Sequence, residues 1–200
     1  MVSKKDLSEQ DIRTKFITPA IEKAGWDRMT QLGEDVPLTD GKIFIRGNLF
    51  ARGKLKRADY VLYYKPNIPI AIIEAKDNNH SVRSGIQQAL GYRELLKDVP
   101  CVYSSNGDAF FEHDFTSSNG KIEREISLDE FPTPEELWKR YKKLNNIEEP
   151  QEITVAEQDY FYDSTGKKPR YYQQVAINRI VEAIAKGQDR ILLVLATGTG

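Results

Sequence analysis

The chain has 200 residues, 40% of them hydrophobic, 30% charged and 10% aromatic, enough apolar material for one packed domain and part of a second, and too little charge imbalance for disorder. Twenty-nine basic residues against thirty acidic leave a net charge of −1, which excludes a globally polycationic nucleic-acid binder but not a local basic patch. The lone cysteine, Cys101, excludes a disulfide framework and a multi-cysteine zinc site, and suits a reducing, cytoplasmic compartment.

The start, Met1-Val2-Ser3-Lys4-Lys5-Asp6, lacks the apolar stretch of a signal peptide. The longest apolar run, Ile191 to Ala196, is far short of a membrane span. A first helix is expected over Ser8–Ala24. Ser8 and Asp11 form a capping pattern, Ile12, Phe16, Ala20 and Ile21 recur at helical spacing, and Gly25 closes it. Pro19 should kink this helix or restart it. Strands are expected at Lys42–Arg46, Ala58–Tyr64, Ile70–Lys76, Cys101–Ser104 and Ala109–Glu112, with turns at Pro66-Asn67 and Asn106-Gly107. A helix over Val82–Lys97 separates the third strand from the fourth, and another, capped by Thr133 with Pro134 and Glu136, follows the last. Asn145 to Glu157 is polar and without period and reads as a linker. A new unit then opens, with a helix over Tyr172–Lys186 ended by Gly187 and a buried strand at Ile191–Leu195. The order predicts an α/β (α+β) domain with a mixed sheet over residues 1–150, then the beginning of a second domain over 151–200.

Chemistry concentrates between Asp59 and Lys76. Glu74 and Lys76 lie two apart on a strand and share a face. A hairpin loop of Pro66-Asn67 would pair Asp59 with Glu74, and a loop of Pro66 to Pro69 would pair it with Lys76. Either even-length loop gathers all three on one face, and an odd loop without a bulge separates them. Glu74 sits among Ile70, Ile72, Ile73 and Ala75, where an uncompensated carboxylate costs several kcal/mol. A second carboxylate raises that cost. A divalent cation reverses it, and oxygen ligands of this kind suit Mg²⁺. Lys76 is placed to orient or deprotonate a water, or to steady charge on a phosphate.

Asp59, fourteen intervening residues, then Glu74-Ala75-Lys76 resembles the motif of PD-(D/E)xK nucleases, with Ala58 in place of the usual proline. Gln88 and Tyr92, four apart on one helix face, are similar to the Gln-x-x-x-Tyr signature of RecB-like members. Glu9 fits two readings: the further acidic ligand of such nucleases, or a first-turn acid favoured by the helix dipole. Arg170-Tyr171-Tyr172-Gln173 resembles the glutamine motif of superfamily 2 helicases. Ala196-Thr197-Gly198-Thr199-Gly200 resembles the opening of their phosphate loop, without its Lys and Ser/Thr, so no ATP hydrolysis is expected of this polypeptide. A nuclease domain followed by a motor start is the order in the R subunits of type I restriction enzymes.

That resemblance implies a restriction-endonuclease-like sheet flanked by helices, followed by the start of a RecA-like motor. It implies Mg²⁺-dependent hydrolysis of double-stranded DNA, with ATP and Mg²⁺ used by the motor of the longer protein. The partners it implies are methyltransferase and specificity subunits. Asp59, Glu74 and the Ala75 carbonyl, with Glu9, would hold the metal. Lys76 would serve the water, Gln88 and Tyr92 would support the site, and Gln173, Thr197, Gly198, Thr199 and Gly200 would touch nucleotide. The acid-free run from Gly41 to Arg57 offers Arg46, Arg52, Lys54, Lys56 and Arg57 to phosphates, or is a solvated loop. His80 and His113 have no ligand spacing and read as surface residues, and Cys101 as a small buried hydrophobe. Two rival readings stand beside the nuclease: a catalytically silent DNA-binding or docking module, and a repair or resolvase-type nuclease attached to another helicase.

Overall fold

A computed structural model describes residues 3–39, 43–46, 49–52, 56–65, 68–118, 120–157 and 169–195. The chain divides into two compact units, 1–146 and 147–200.

The first unit opens with a helical segment in three parts. Helix α1 (Glu9–Ile12) is capped by Ser8, whose side chain accepts from the Asp11 N–H while the Asp11 carboxylate accepts from the Ser8 N–H. A π-helical turn over Arg13–Ile17 leads into α2 (Thr18–Lys23). Pro19 explains the interruption. It brings no N–H, and its ring would clash with the Lys15 carbonyl of a regular helix, so the chain restarts around it. Ile12, Ile17, Ala20 and Ile21 are buried.

A six-stranded mixed sheet forms the body of the unit, in the order β1-β4-β5-β6-β7-β8. Its strands are β1 (Leu32–Thr39), β4 (Lys56–Tyr63), β5 (Pro69–Ala75), β6 (Cys101–Ser105), β7 (Ala109–Asp114) and β8 (Glu123–Ser127). Strands β2 (Ile43–Arg46) and β3 (Leu49–Arg52) pair separately. Strand β5 is buried along its whole length and runs parallel to β6. The parallel pairing requires a crossover, which α3 (Ile86–Arg93) supplies. Every other pairing is antiparallel.

All five strands expected in this unit are present. The sequence reading missed β1, β3 and β8. Strand β1 carries Gly33, Glu34, Asp35 and Pro37, all poor strand formers, and β8 is dominated by Glu123, Arg124 and Glu125. Both lie at sheet edges, where proline and charge are tolerated and discourage pairing with other chains. The α3 helix is shorter than expected, because residues 82–85 and 94–98 form turns instead of helix. The Asn106-Gly107 turn is present. Gly107 has φ 82° and approaches Ile12 so closely that a Cβ would lie 2.9 Å from its Cγ2.

Helix α4 (Pro134–Asn145) has the expected Thr133–Glu136 capping box and buries Leu137, Trp138 and Tyr141. Tyr64 stacks on Trp138 with ring centroids 4.4 Å apart. A polar cluster crosses the far side of the sheet. Buried Glu112 accepts from the Tyr103 hydroxyl at 2.8 Å, from Arg140 at 2.6 Å and from Arg124.

In the second unit, α5 (Pro150–Ala156) corrects the expectation of a linker there. Two turns are too short to display a period. The helix is nevertheless signalled by Pro150 and by Glu152, whose carboxylate accepts the Glu148 and Glu149 N–H groups. Helix α6 (Tyr171–Ala185) packs against α5 and is closed by Gly187 at φ 70°. The strand expected at Ile191–Leu195 is absent. These residues are exposed, Leu192 at 88%. An apolar run becomes a buried strand only against neighbouring strands, and the described residues of this unit contain none.

Candidate active site

The β4–β5 hairpin assembles the site. Its register pairs Tyr60 with Ile73, Val61 with Ile72 and Leu62 with Ala71, then shifts at Tyr63. One further step places Asp59 level with Glu74. Next to the turn Tyr63 pairs with Pro69, so the ladder there runs in an odd register, and the shift between Leu62 and Tyr63, not an even loop, restores the shared face. The Asp59 carboxylate reaches across to the next strand, where its Oδ2 accepts the Ala75 N–H at 2.7 Å. Lys76 follows directly on β5 and extends the ladder by donating its N–H to the Ser105 carbonyl. Its ammonium donates to Glu74 Oε1 at 2.8 Å and lies 3.9 Å from Glu9 Oε2. Asp59, Glu74, Lys76 and Glu9 therefore share one place, at the end of the central strand.

Glu74 is 2% exposed. Its Oε2 is buried without a hydrogen-bond partner, a condition that native structures rarely leave uncompensated. Burial first, and then the charge of Asp59, push its carboxyl up to about 7 against the opposing pull of Lys76. Glu9 is raised for the same reasons, burial and Asp59. For Lys76 burial works towards the neutral amine, but the hydrogen bond to Glu74 and the surrounding carboxylates outweigh it, so its pKa is raised and the ammonium persists at neutral pH. Gly85 presses on the acid from the turn that leads into α3. A Cβ there would stand 2.9 Å from Glu74 Cγ and 3.1 Å from Ser104 Cβ.

Gln88 Nε2 donates to the Tyr92 hydroxyl at 2.6 Å, so the two residues of the helical signature are coupled. The Tyr92 hydroxyl is raised by burial and by the charges of Glu74 and Asp59. It therefore stays a neutral donor on the same side of the sheet as the carboxylates.

One residue was missed by sequence reasoning. Arg13 is 5% exposed. It donates to Asp35 Oδ1 at 2.9 Å and to the Asp59 carbonyl at 3.1 Å, and lies 3.6 Å from Asp59 Oδ1. The signal available was its place four residues after Glu9, on the same helix face.

Among the described residues, no group of three or more His, Cys, Asp or Glu side chains is gathered as a ready metal cage. The residues nevertheless fit a hard divalent ion. Mg²⁺ is held by one or two carboxylates and keeps several waters, and the orphaned Glu74 oxygen beside Asp59 offers the anionic oxygens it takes.

Of the basic residues, Lys56 and Arg57 are exposed on β4, just ahead of Asp59. Arg46 and Arg52 fall in β2 and β3, whose backbone alone is described, and Lys54 lies outside the described residues. Gln173 sits in the first turn of α6, where its side chain accepts the Arg170 N–H at 2.8 Å and so caps the helix. Thr197, Gly198, Thr199 and Gly200 lie outside the described residues. His80 is exposed and meets Asp77. His113 is half-buried. Its side chain is 14% exposed, paired with Glu123 and set against the Phe115 ring, because it lies on a strand between two others. Cys101 is buried and its thiol is pushed up to about 12 by burial. No helix among the described residues is long and apolar enough to cross a membrane.

Residues 44–121 match the family described as the type I restriction enzyme R protein N terminus, and residues 166–200 match the type III restriction enzyme res subunit. The chain is 50% identical to the type I restriction enzyme EcoAI endonuclease subunit of Escherichia coli over 98% of its own length and 24% of that protein. It is 29% identical to the EcoKI endonuclease subunit of E. coli K12 over 72% of its length and 15% of that protein. The chain thus spans a quarter or less of the curated relatives it matches. A solved fragment of a candidate HsdR subunit of a type I restriction enzyme from Vibrio vulnificus YJ016 superimposes with a TM-score of 0.78 at 37% identity. The match covers 97% of this chain and 36% of that one.

Proposed function

The chain belongs to the family of type I restriction enzyme R subunits, whose N-terminal region it matches, and on that premise we propose that its first unit is a Mg²⁺-dependent endonuclease domain acting on double-stranded DNA. The observation that carries this reading is the buried, unpartnered Glu74 oxygen beside Asp59 and Lys76 on the central hairpin. A folded protein tolerates that oxygen most readily when a cation completes it.

Asp59 and Glu74 would hold the ion, with the Ala75 carbonyl and Glu9 as further ligands. When bound, the ion supplies a Lewis acid for the phosphodiester and offsets the crowded carboxylate charge. Lys76, an ammonium hydrogen-bonded to Glu74, would orient the attacking water and stabilise charge on the phosphate oxygens. Its raised pKa favours these two roles over deprotonating the water. Tyr92, kept neutral and coupled to Gln88, would donate to the substrate backbone. Lys56 and Arg57, with Arg46, Arg52 and Lys54, would contact flanking phosphates without reading sequence.

The second unit would begin an ATP-dependent motor, with Gln173 and Thr197 to Gly200 at the nucleotide. Partner subunits for methylation and specificity would choose the site, in the cytoplasm. The test uses the complete R subunit assembled with those partners, with plasmid DNA, ATP and Mg²⁺. Glu74→Ala and Lys76→Ala should abolish cleavage while ATP hydrolysis persists. Variants that cut as wild type would identify the domain as a silent docking module instead.

A further inference from the structure

We propose that Arg13, fixed in place by Asp35, is the positioning residue for the Asp59 carboxylate. The inference rests on the cation-site reading of Asp59 and Glu74, and deepens it.

Arg13 lies on the π-helical turn between α1 and α2, pressed against the sheet with its guanidinium 4.9 Å from the centre of the Tyr60 ring. Its fork spans two strands. Nη1 donates to Asp35 Oδ1 on β1 at 2.9 Å and stands 3.6 Å from Asp59 Oδ1 on β4, while Nη2 donates to the Asp59 carbonyl at 3.1 Å. Asp59 is therefore approached from both sides: Oδ2 accepts the Ala75 N–H at 2.7 Å, and Oδ1 forms an ion pair with Arg13 at 3.6 Å, while the Arg13 hydrogen bond anchors the Asp59 main chain. Anchored main chain, hydrogen bond and ion pair together bias the carboxylate towards one orientation.

Asp35 supplies independent evidence. It lies between the ladder pairs Glu34–Tyr60 and Val36–Ala58, yet its φ is +51°, the left-handed region that strand residues avoid. A left-handed residue in an edge strand costs energy, and such strain persists where the surroundings demand it, often at functional sites. Here the demand is visible: the carboxylate meets Arg13. The side chain of Asp35 is 55% exposed, so burial does not account for it. Carboxylate, guanidinium and carboxylate form a line from the exposed edge of the sheet to its reactive hairpin. A lysine would not serve, because one ammonium lacks the planar fork that reaches several acceptors at once.

Two readouts on the 200-residue chain test this. The first needs no metal: the proton shift and hydrogen exchange of the Ala75 amide, which report its bond to Asp59. The second is Mn²⁺ affinity by calorimetry. Asp35→Gly keeps the left-handed backbone without strain and removes only the carboxylate. It should move the Ala75 amide upfield, speed its exchange and weaken Mn²⁺ roughly tenfold, as loss of an outer-sphere partner does, with an unchanged melting temperature. Asp35→Asn, which keeps an acceptor, should restore much of both. Arg13→Lys and Arg13→Gln should weaken Mn²⁺ together. If Arg13 were merely a counter-charge, Gln would tighten Mn²⁺ and Lys would leave it unchanged, and that pattern overturns the proposal. So does an Ala75 amide unmoved in Asp35→Gly. Should wild type bind no Mn²⁺ while the amide moves as described, the cation reading falls and the positioning role stands.

Discussion

Glu74→Gln should stabilise the protein increasingly as pH rises from about 4.5 to about 7, and fully above that. The amide has the shape of the protonated carboxyl and keeps an acceptor for Lys76, so well below the ordinary carboxyl value of 4.5 variant and wild type should unfold alike. Burial beside Asp59 raises the Glu74 carboxyl from an ordinary 4.5 to about 7, a difference worth roughly 3 kcal/mol. Between those values the native state keeps a proton that the unfolded state has lost. Wild-type stability therefore falls as pH rises through this window and is level with respect to Glu74 above about 7. At pH 8 in the presence of a chelator the variant should be more stable by roughly 3 kcal/mol, or about 6–12 °C in melting temperature for a chain of this size. Other titrating groups are common to both proteins and cancel in the difference. Saturating Mg²⁺ should close the gap by stabilising wild type alone, by about 2.7 kcal/mol at one hundred times the dissociation constant. The assay is thermal or urea unfolding at about pH 4, 5, 6, 7 and 8, with chelator and with Mg²⁺. A variant less stable than wild type at every pH, or a difference independent of pH, refutes the reasoning.

Gly85→Ala would force a methyl group to within 2.9 Å of Glu74 Cγ. It should cost about 1–3 kcal/mol by overpacking and weaken Mn²⁺, read by urea unfolding and calorimetry; a neutral substitution would contradict the packing described. Glu112→Ala leaves the buried Tyr103 hydroxyl and the half-buried Arg140 guanidinium without their shared acceptor. It should lower stability by about 3–5 kcal/mol while leaving Mn²⁺ affinity unchanged, and a loss below about 1 kcal/mol would show that the cluster is not coupled.

The site could be read from the sequence because its residues lie on one hairpin. Period-two alternation placed Glu74 and Lys76 on one face, and the isoleucines around Glu74 announced its burial. The register shift between Leu62 and Tyr63 that brings Asp59 level with Glu74 was not legible, because a bulge has no periodic signal. Gln88 and Tyr92 were legible for a similar reason, being one helical turn apart. Arg13 and Asp35 were not, because their meeting depends on how a helix docks across two strands, a contact that no local period encodes. The edge strands β1 and β8 were missed because edge positions reward proline and charge, which weaken the usual strand signal. The error at Ile191–Leu195 has the opposite cause: apolarity marks a wish to be buried, and a strand exists only where neighbours complete it.

The central claim is that Asp59 and Glu74 hold a divalent ion. Anomalous diffraction from crystals equilibrated with Mn²⁺ tests it most directly. The account predicts one strong peak touching both carboxylates, on the side of the Glu74 oxygen that has no partner, and its loss in Glu74→Gln. Full Mn²⁺ occupancy elsewhere with none at this pair, or a peak that survives the substitution unchanged, would contradict it.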